Sequence, residues 1–450
     1  MCKFGRKVEF LKRLMNKKIL HIAIPSIISN ITVPLLALVD TTIAGHLGNA
    51  AYIGAIAVGG MLFNMAYWLF GFLRMGTGGL TAQAYGAGNA KESMLVLLRS
   101  LCVATCVSVL LIVLQGPIIN IAFRFITATA QVALWAHTYF YILIWGAPAV
   151  LGLYGFTGWF LGMQNARVPM VIAIMQNGVN IIVSALLVLG FGWKVEGIAV
   201  GTLVAQYAGF LTAVGVFLCK YRSHLPRVQW REVTHSAAFR KFFSVNRDIF
   251  FRTFCLIAVS SYFTTAGSTQ GELTLAANTL LMQFFTLFSY LFDGFSYAGE
   301  AIGGQYYGAH NREGFYALTR SLFKWGVVLV TAFTLVYIVW GDVILSLLTD
   351  SPVVVAQATA YLPYACCIPL VSFCAFLYDG LFIGSTATRY MLISMLAASV
   401  LFFVIIGLFP LTNHVLWVAF LSYLGCRGMV QAFLYPKLTK KMQKICNERN

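Results

Sequence analysis

Two stretches decide how this chain is read: Gln83-Ala84-Tyr85-Gly86-Ala87-Gly88-Asn89 and Gln305-Tyr306-Tyr307-Gly308-Ala309-His310-Asn311. They lie 222 positions apart (83 to 305). After a one-residue gap, Glu92, Arg99, Ser100 and Leu101 return as Glu313, Arg320, Ser321 and Leu322. Further on, Gly158, Phe160, Gly162 and Arg167 return as Gly380, Phe382, Gly384 and Arg389, again at 222, and Gly45 and Gly267 keep the same offset. One such match would be chance. Several at one offset indicate a chain built from two copies of one unit.

Composition says where those copies live. Of 450 residues, 60% are hydrophobic and only 10% are charged, whereas about a quarter of a soluble domain is charged. A soluble enzyme, a disordered chain and a disulfide scaffold are excluded. The net charge of +17 is not a nucleic-acid footprint, because the basic residues sit in short segments between apolar runs, as cytoplasmic loops do. Ten cysteines lie mostly inside apolar runs without a CxxC pair, so they read as small packing residues.

A spanning helix needs about 20 mostly apolar residues. Twelve such runs are predicted, near 19–45, 52–74, 94–115, 131–155, 168–190, 195–219, 249–268, 273–298, 317–340, 358–384, 390–411 and 414–436. The first is kept rather than cleaved, being too long for a signal sequence and lacking a small-residue cleavage site. With the amino terminus inside, the inner segments hold Lys3 to Lys18, Lys91, Arg167, Lys220 to Arg247, Arg312, Arg389 and Lys437 to Arg449, and the outer loops only Arg124 and Lys194. Both termini are then cytoplasmic. The expected fold is an all-α polytopic membrane protein, with twelve transmembrane helices in two six-helix lobes related by a pseudo-twofold axis along the membrane normal. The divisions are a basic amino terminus (1–18), a first lobe (19–219), a cytoplasmic linker on anionic headgroups (220–248), a second lobe (249–436) and a basic tail (437–450). Two parallel bundles around a cleft suit alternating access.

Of the 14 acids, ten fall in loops, tails or helix ends, and four do not: Asp40, Asp293, Glu300 and Asp379. A carboxylate at mid-bilayer costs about 2.5–3.5 kcal/mol on insertion scales, so it normally faces a cavity or a partner. Asp40 has no evident basic neighbour in the first half, which suits it to exchanging a coupling ion. Asn177, Asn180 and Ser184 share one face of the fifth span, and Thr202 lies at similar depth on the sixth. Two readings stand for these: hydrogen bonding between helices, or a site around Asp40. In the second half, Asp293, Glu300 and Asp379 share a level with Arg252 and Arg427, which predicts an ion-paired cluster: a structural network or gate, or a second ion or substrate site. A carboxylate held by arginine is a poor proton carrier, which favours Asp40 as the coupling residue.

The run Asn30 to Leu47, with Pro34, Asp40 and Gly45, resembles the first helix of the multidrug and toxic compound extrusion (MATE) family, in the branch of the DNA-damage-inducible protein F. Phe72 to Met75, Gly79 to Ala87, Gly158 to Pro169, Asn246 to Asp248, Asp293 to Glu300 and Asp379 to Gly384 resemble that branch too, and the likeness spans about 17–437. The resemblance implies a monomeric twelve-helix antiporter in the plasma (inner) membrane, expelling small organic, often cationic, compounds in exchange for protons or sodium. It implies no bound cofactor or metal, and no nucleic-acid partner. It matches Asp40 to the family's first-helix acid, Asn180 and Thr202 to the same site, and Asp379 to an acid proposed as a cation site in another branch. Ser184 departs from the pattern, since many relatives carry Asp there, so coupling to H+ through Asp40 is expected over Na+. A lipid or lipid-linked oligosaccharide flippase is the rival reading, disfavoured because the first half offers no basic lining for a pyrophosphate. An enzyme is disfavoured because the seven histidines are scattered and no HExxH, GxSxG or P-loop is present.

Overall fold

The computed structural model describes residues 2–45, 49–126, 128–226 and 228–447, with side chains from Leu14 onward apart from a few positions. The basic side chains of Lys3 to Arg13, and His46, Arg227 and Arg449, lie outside that description. Every described element is helical: α1 (Cys2–Gly45), α2 (Ala50–Leu69), α3 (Phe72–Gly86), α4 (Ala90–Val113), α5 (Gln115–Phe125), α6 (Ala130–Leu143), α7 (Ala147–Gly162) and α8 (Arg167–Ala185) come first. Then come α9 (Val195–Val216), a four-residue α10 (Trp230–Val233), α11 (Ser236–Ser268), α12 (Glu272–Gly308), α13 (Arg312–Leu348), α14 (Pro352–Gly384), α15 (Thr388–Leu408) and α16 (Asn413–Asn447). Eleven segments among the described residues are long and apolar enough to cross a membrane. The twelfth expected span lies in α1, and the all-helical fold stands.

The helix limits repeat with the sequence. The segment 50–86, made of α2 and α3, has the bounds of α12 moved back by 222, and 130–162 has those of α14. Where the second copy is continuous, the first is interrupted. Phe70 and Gly71 part α2 from α3, and a short 3₁₀ turn (Ile144–Gly146) parts α6 from α7, where Pro148 sits in the first turn, a position that needs no N–H. The motif that opened the sequence is a helix-to-helix turn. Asn89 caps α4 through the Glu92 amide at 2.9 Å, and Asn311 caps α13 through the Gly314 amide at 2.8 Å. Gly88 (φ 67°) and His310 (φ 54°) both take the left-handed conformation that the turn demands.

The chain divides into two compact units. One contains residues 28–84 and 89–246, the other residues 1–27, 85–88 and 247–450. This grouping differs from the lobes drawn on the sequence at three places, each with a packing reason. Residues 1–27 join the second unit, where Gly294 of α12 brings the Ala23 carbonyl and Ile27 of α1 close. Residues 85–88 join it because Gly86 presses on the Gln305 carbonyl. Residues 220–246 join the first unit, in which Leu225, Val233 and Phe242 are buried.

Inside each unit the repeated glycines do the same thing. Gly158 of α7 leaves no room for a Cβ against the Arg74 carbonyl, and Gly380 of α14 none against the Ser296 carbonyl. Gly162 faces the Gly78 carbonyl and Gly384 the Glu300 carbonyl. Both pairs of neighbours keep the 222 offset. Small residues that let backbones approach are the main device for packing helices in lipid, where burial from water offers no drive. Gly158→Val and Gly380→Val should each destabilise the detergent-solubilised protein by about 1–3 kcal/mol, lowering its melting temperature. Gly178→Ala, where a Cβ would meet nothing within 4 Å, should leave it unchanged or slightly raised.

Candidate functional site

In the first unit Asp40 sits on α1, seven per cent exposed. Its Oδ1 accepts no hydrogen bond, and no basic group among the described residues compensates its charge. Asn180 and Ser184 on α8 are fully buried. Asn180 donates through Nδ2 to Thr202 Oγ1 at 2.9 Å, and Thr202 donates in turn to the Ile198 carbonyl at 3.0 Å along α9. Asn180 Oδ1 and Ser184 Oγ are buried without partners, Ser184 lying against Gly201. Asn177 is turned elsewhere. Its amide donates to the Thr32 carbonyl at 2.8 Å and ties α8 to α1.

One contributor was not legible in the sequence. Tyr139 of α6, four per cent exposed, lies in hydrogen-bonding contact with Thr202 and within electrostatic reach of Asp40. Gly59 of α2 is what lets its ring come so close. Tyr67, whose buried hydroxyl also lacks a hydrogen-bond partner, lies within reach of Tyr139, Tyr154 and Tyr207. A tyrosine within an apolar run carries no pattern that separates a site wall from ordinary core. Tyr139 thus links Asp40 electrostatically to the Asn180–Thr202 hydrogen bond, and these residues form a polar cluster inside the first unit. Its free lone pairs on Asp40, Asn180 and Ser184 can take a proton, a cation or water.

The second unit has the opposite chemistry. Asp379 on α14 accepts through Oδ2 from both Arg252 of α11 and Arg427 of α16, and through Oδ1 from Gln431 Nε2 at 2.6 Å. All four are buried. The Arg427 guanidinium also lies over the Phe376 ring, 5.7 Å from its centroid, with Asp293 in electrostatic reach. Glu300 is buried on α12, where its backbone meets Gly384. Among the described residues no three His, Cys, Asp or Glu side chains gather into a metal-binding group.

The duplication makes the contrast sharp. Positions 222 beyond Asp40, Asn180 and Thr202 are Tyr262, Phe402 and Leu424, and the Tyr262 and Phe402 rings pack edge to face at 6.0 Å. Positions 222 before Arg252, Asp379, Arg427 and Gln431 are Asn30, Thr157, Ala205 and Gly209. The copies share their packing but not the polar residues of these two buried clusters.

The MatE family matches residues 25–186 and 250–408, one stretch in each half of the chain. The chain belongs to the MatE family. It is 35% identical over 430 residues to DNA damage-inducible protein F of Escherichia coli strain K12, covering 94% of this chain and 92% of that protein. It superposes on the outward-facing structure of a multidrug resistance MATE family transporter of the MOP superfamily with a TM-score of 0.83 at 18% identity, covering 96% and 97% of the two chains. A MOP superfamily transporter from Pyrococcus furiosus gives a TM-score of 0.82 at 18% identity, covering 95% and 97%. The protein is thus a multi-pass membrane transporter of the multidrug-efflux MATE family, with the two-lobe, twelve-helix arrangement of that family, and not an enzyme. Such transporters handle small organic substrates within a membrane.

Breaking a buried ion pair costs about 3–5 kcal/mol, because the remaining partner is left charged and unpaired. Arg427→Ala and Asp379→Ala should both lower the melting temperature steeply. The double replacement Asp379→Ala with Arg427→Ala should recover part of that loss, which a double-mutant cycle on thermal unfolding would measure.

Proposed function

We propose that the chain is a proton-driven exporter of organic, often cationic, compounds, with Asp40 as the coupling acid. The observation that carries this reading is the pairing state of its buried acids. Asp379 is held by two guanidiniums and an amide, so it has little freedom to trade its charge. Asp40 is buried, its Oδ1 accepts no hydrogen bond, and it has no basic partner among the described residues. A carboxylate in that setting is stabilised by whichever cation reaches it. When a proton occupies it the pocket is neutral and an organic cation is not favoured. When the proton leaves, the bare charge favours the substrate. Mutually exclusive occupancy of one negative charge is the simplest form of antiport, and opening first to one side and then to the other makes it vectorial.

Ser184 favours the proton over sodium. A proton needs one carboxylate oxygen, whereas a metal cation needs several oxygen ligands, and a serine hydroxyl supplies a weaker one than a second carboxylate would. The Lys and Arg asymmetry of the loops supports an inner membrane placement with both termini in the cytoplasm.

Everted vesicles carrying the transporter test this directly. An imposed pH gradient should drive uptake of a fluorescent organic cation, and a sodium gradient alone should not. Asp40→Asn, expressed at the wild-type level, should fall to the signal of vesicles without the protein. Full transport in that variant, or uptake driven by sodium alone, would overturn the assignment.

A further inference from the structure

The segment joining the two halves does more than connect them. Its buried side is clamped to the first unit. Arg99 of α4, three per cent exposed, donates to the carbonyls of Glu232 at 3.1 Å and Val233 at 3.2 Å, and its guanidinium also pairs with Glu92 at 2.7 Å. Lys91 holds the Glu232 carboxylate at 2.5 Å, and this hydrogen bond keeps that carboxyl below its ordinary range. Asn165 donates to the Tyr221 hydroxyl at 2.8 Å, Leu225 and Val233 are buried, and Phe242 enters the core of the unit. The segment is therefore held along its length rather than tethered at its ends.

Its outward side carries cations and aromatic rings among small polar residues. Arg231, Arg240 and Lys241 are exposed, as are the rings of Trp230, at 66%, and Phe243, at 51%. The one acid between them in the chain, Glu232, is already neutralised by Lys91. Three exposed positive charges and two large exposed aromatic rings, on a segment pinned by its other side, form an arrangement that water serves poorly. A bilayer headgroup layer serves it well: phosphates meet the charges, and the rings sit at the boundary with the acyl chains. We infer that this face is a binding surface for anionic phospholipid headgroups, which seat the linker on the membrane. The inference does not depend on proton coupling and would stand if sodium drove transport.

The test uses the full-length detergent-solubilised protein and a pyrene-labelled phosphatidylglycerol, with a pyrene-labelled phosphatidylcholine as the neutral comparison. Arg231→Gln, Arg240→Gln and Lys241→Gln together should weaken phosphatidylglycerol binding roughly a hundredfold, at about fivefold per basic residue, with little change for phosphatidylcholine. Raising the salt concentration should weaken the wild type toward the variant. Trp230→Ala with Phe243→Ala should weaken both lipids. All these residues are exposed and none belongs to the Asp40 pocket, so an unchanged melting temperature identifies a folded variant. The salt dependence of the wild type stands as evidence if the variant fails to fold. Wild-type phosphatidylglycerol binding by the triple variant, equal wild-type affinity for the two lipids, or displacement of the lipid by an equimolar polyglutamate peptide would overturn the inference. The last outcome would point to an acidic protein partner instead.

Discussion

A charge surrounded by hydrocarbon must be partnered or neutral, and this constraint organises the protein. Asp379 meets it by partnership, with donors from α11 and α16 converging on one carboxylate of α14. That arrangement spends the acid on structure. It ties three helices of one unit and holds the charge in place. Asp40 has no such partner among the described residues, so its charge is available to whatever cation reaches it. In the proposed mechanism one acid is a fastener and the other is exchangeable, and the difference follows from whether arginine reaches each of them.

The duplicated architecture explains how both can exist in one chain. Packing is common property of the two copies: asparagine caps at 89 and 311, left-handed turn residues at 88 and 310, and backbone-to-backbone contacts at Gly158 and Gly380. These features form a frame common to the two copies, which carry different buried polar clusters. Asp40, Asn180 and Thr202 have Tyr262, Phe402 and Leu424 as counterparts. Both copies keep the close packing, and a Cβ at either glycine would drive helices apart. The buried polar side chains differ between the copies, and in the second unit the Asp379 cluster adds its own ties between helices.

Most of the frame was legible in the sequence. Length and apolarity mark the spans, and the 222-residue offset marks the halves. The meeting of Asp379 with Arg252 and Arg427 was also foreseeable, because opposite charges at one depth have few other places to go. Three features were not legible. Tyr139 looks like any core aromatic until the fold brings it to Thr202. Asn177 shares a helix face with Asn180, yet a backbone carbonyl of α1 captures it instead. The grouping of residues 1–27 with the second unit depends on Gly294, a glycine far away in the chain whose missing side chain shows only where two helices already touch. In each case the deciding contact is long-range and leaves no periodicity behind.

The most direct measurement of the central claim is proton release on substrate binding. The purified protein in weakly buffered solution, mixed with a saturating organic cation, can be followed with a pH indicator. The wild type should release up to one proton per bound substrate at a pH where Asp40 is protonated, and Asp40→Asn should release none. Equal release from that variant, or substrate binding to the wild type with no proton released at any pH, would contradict it.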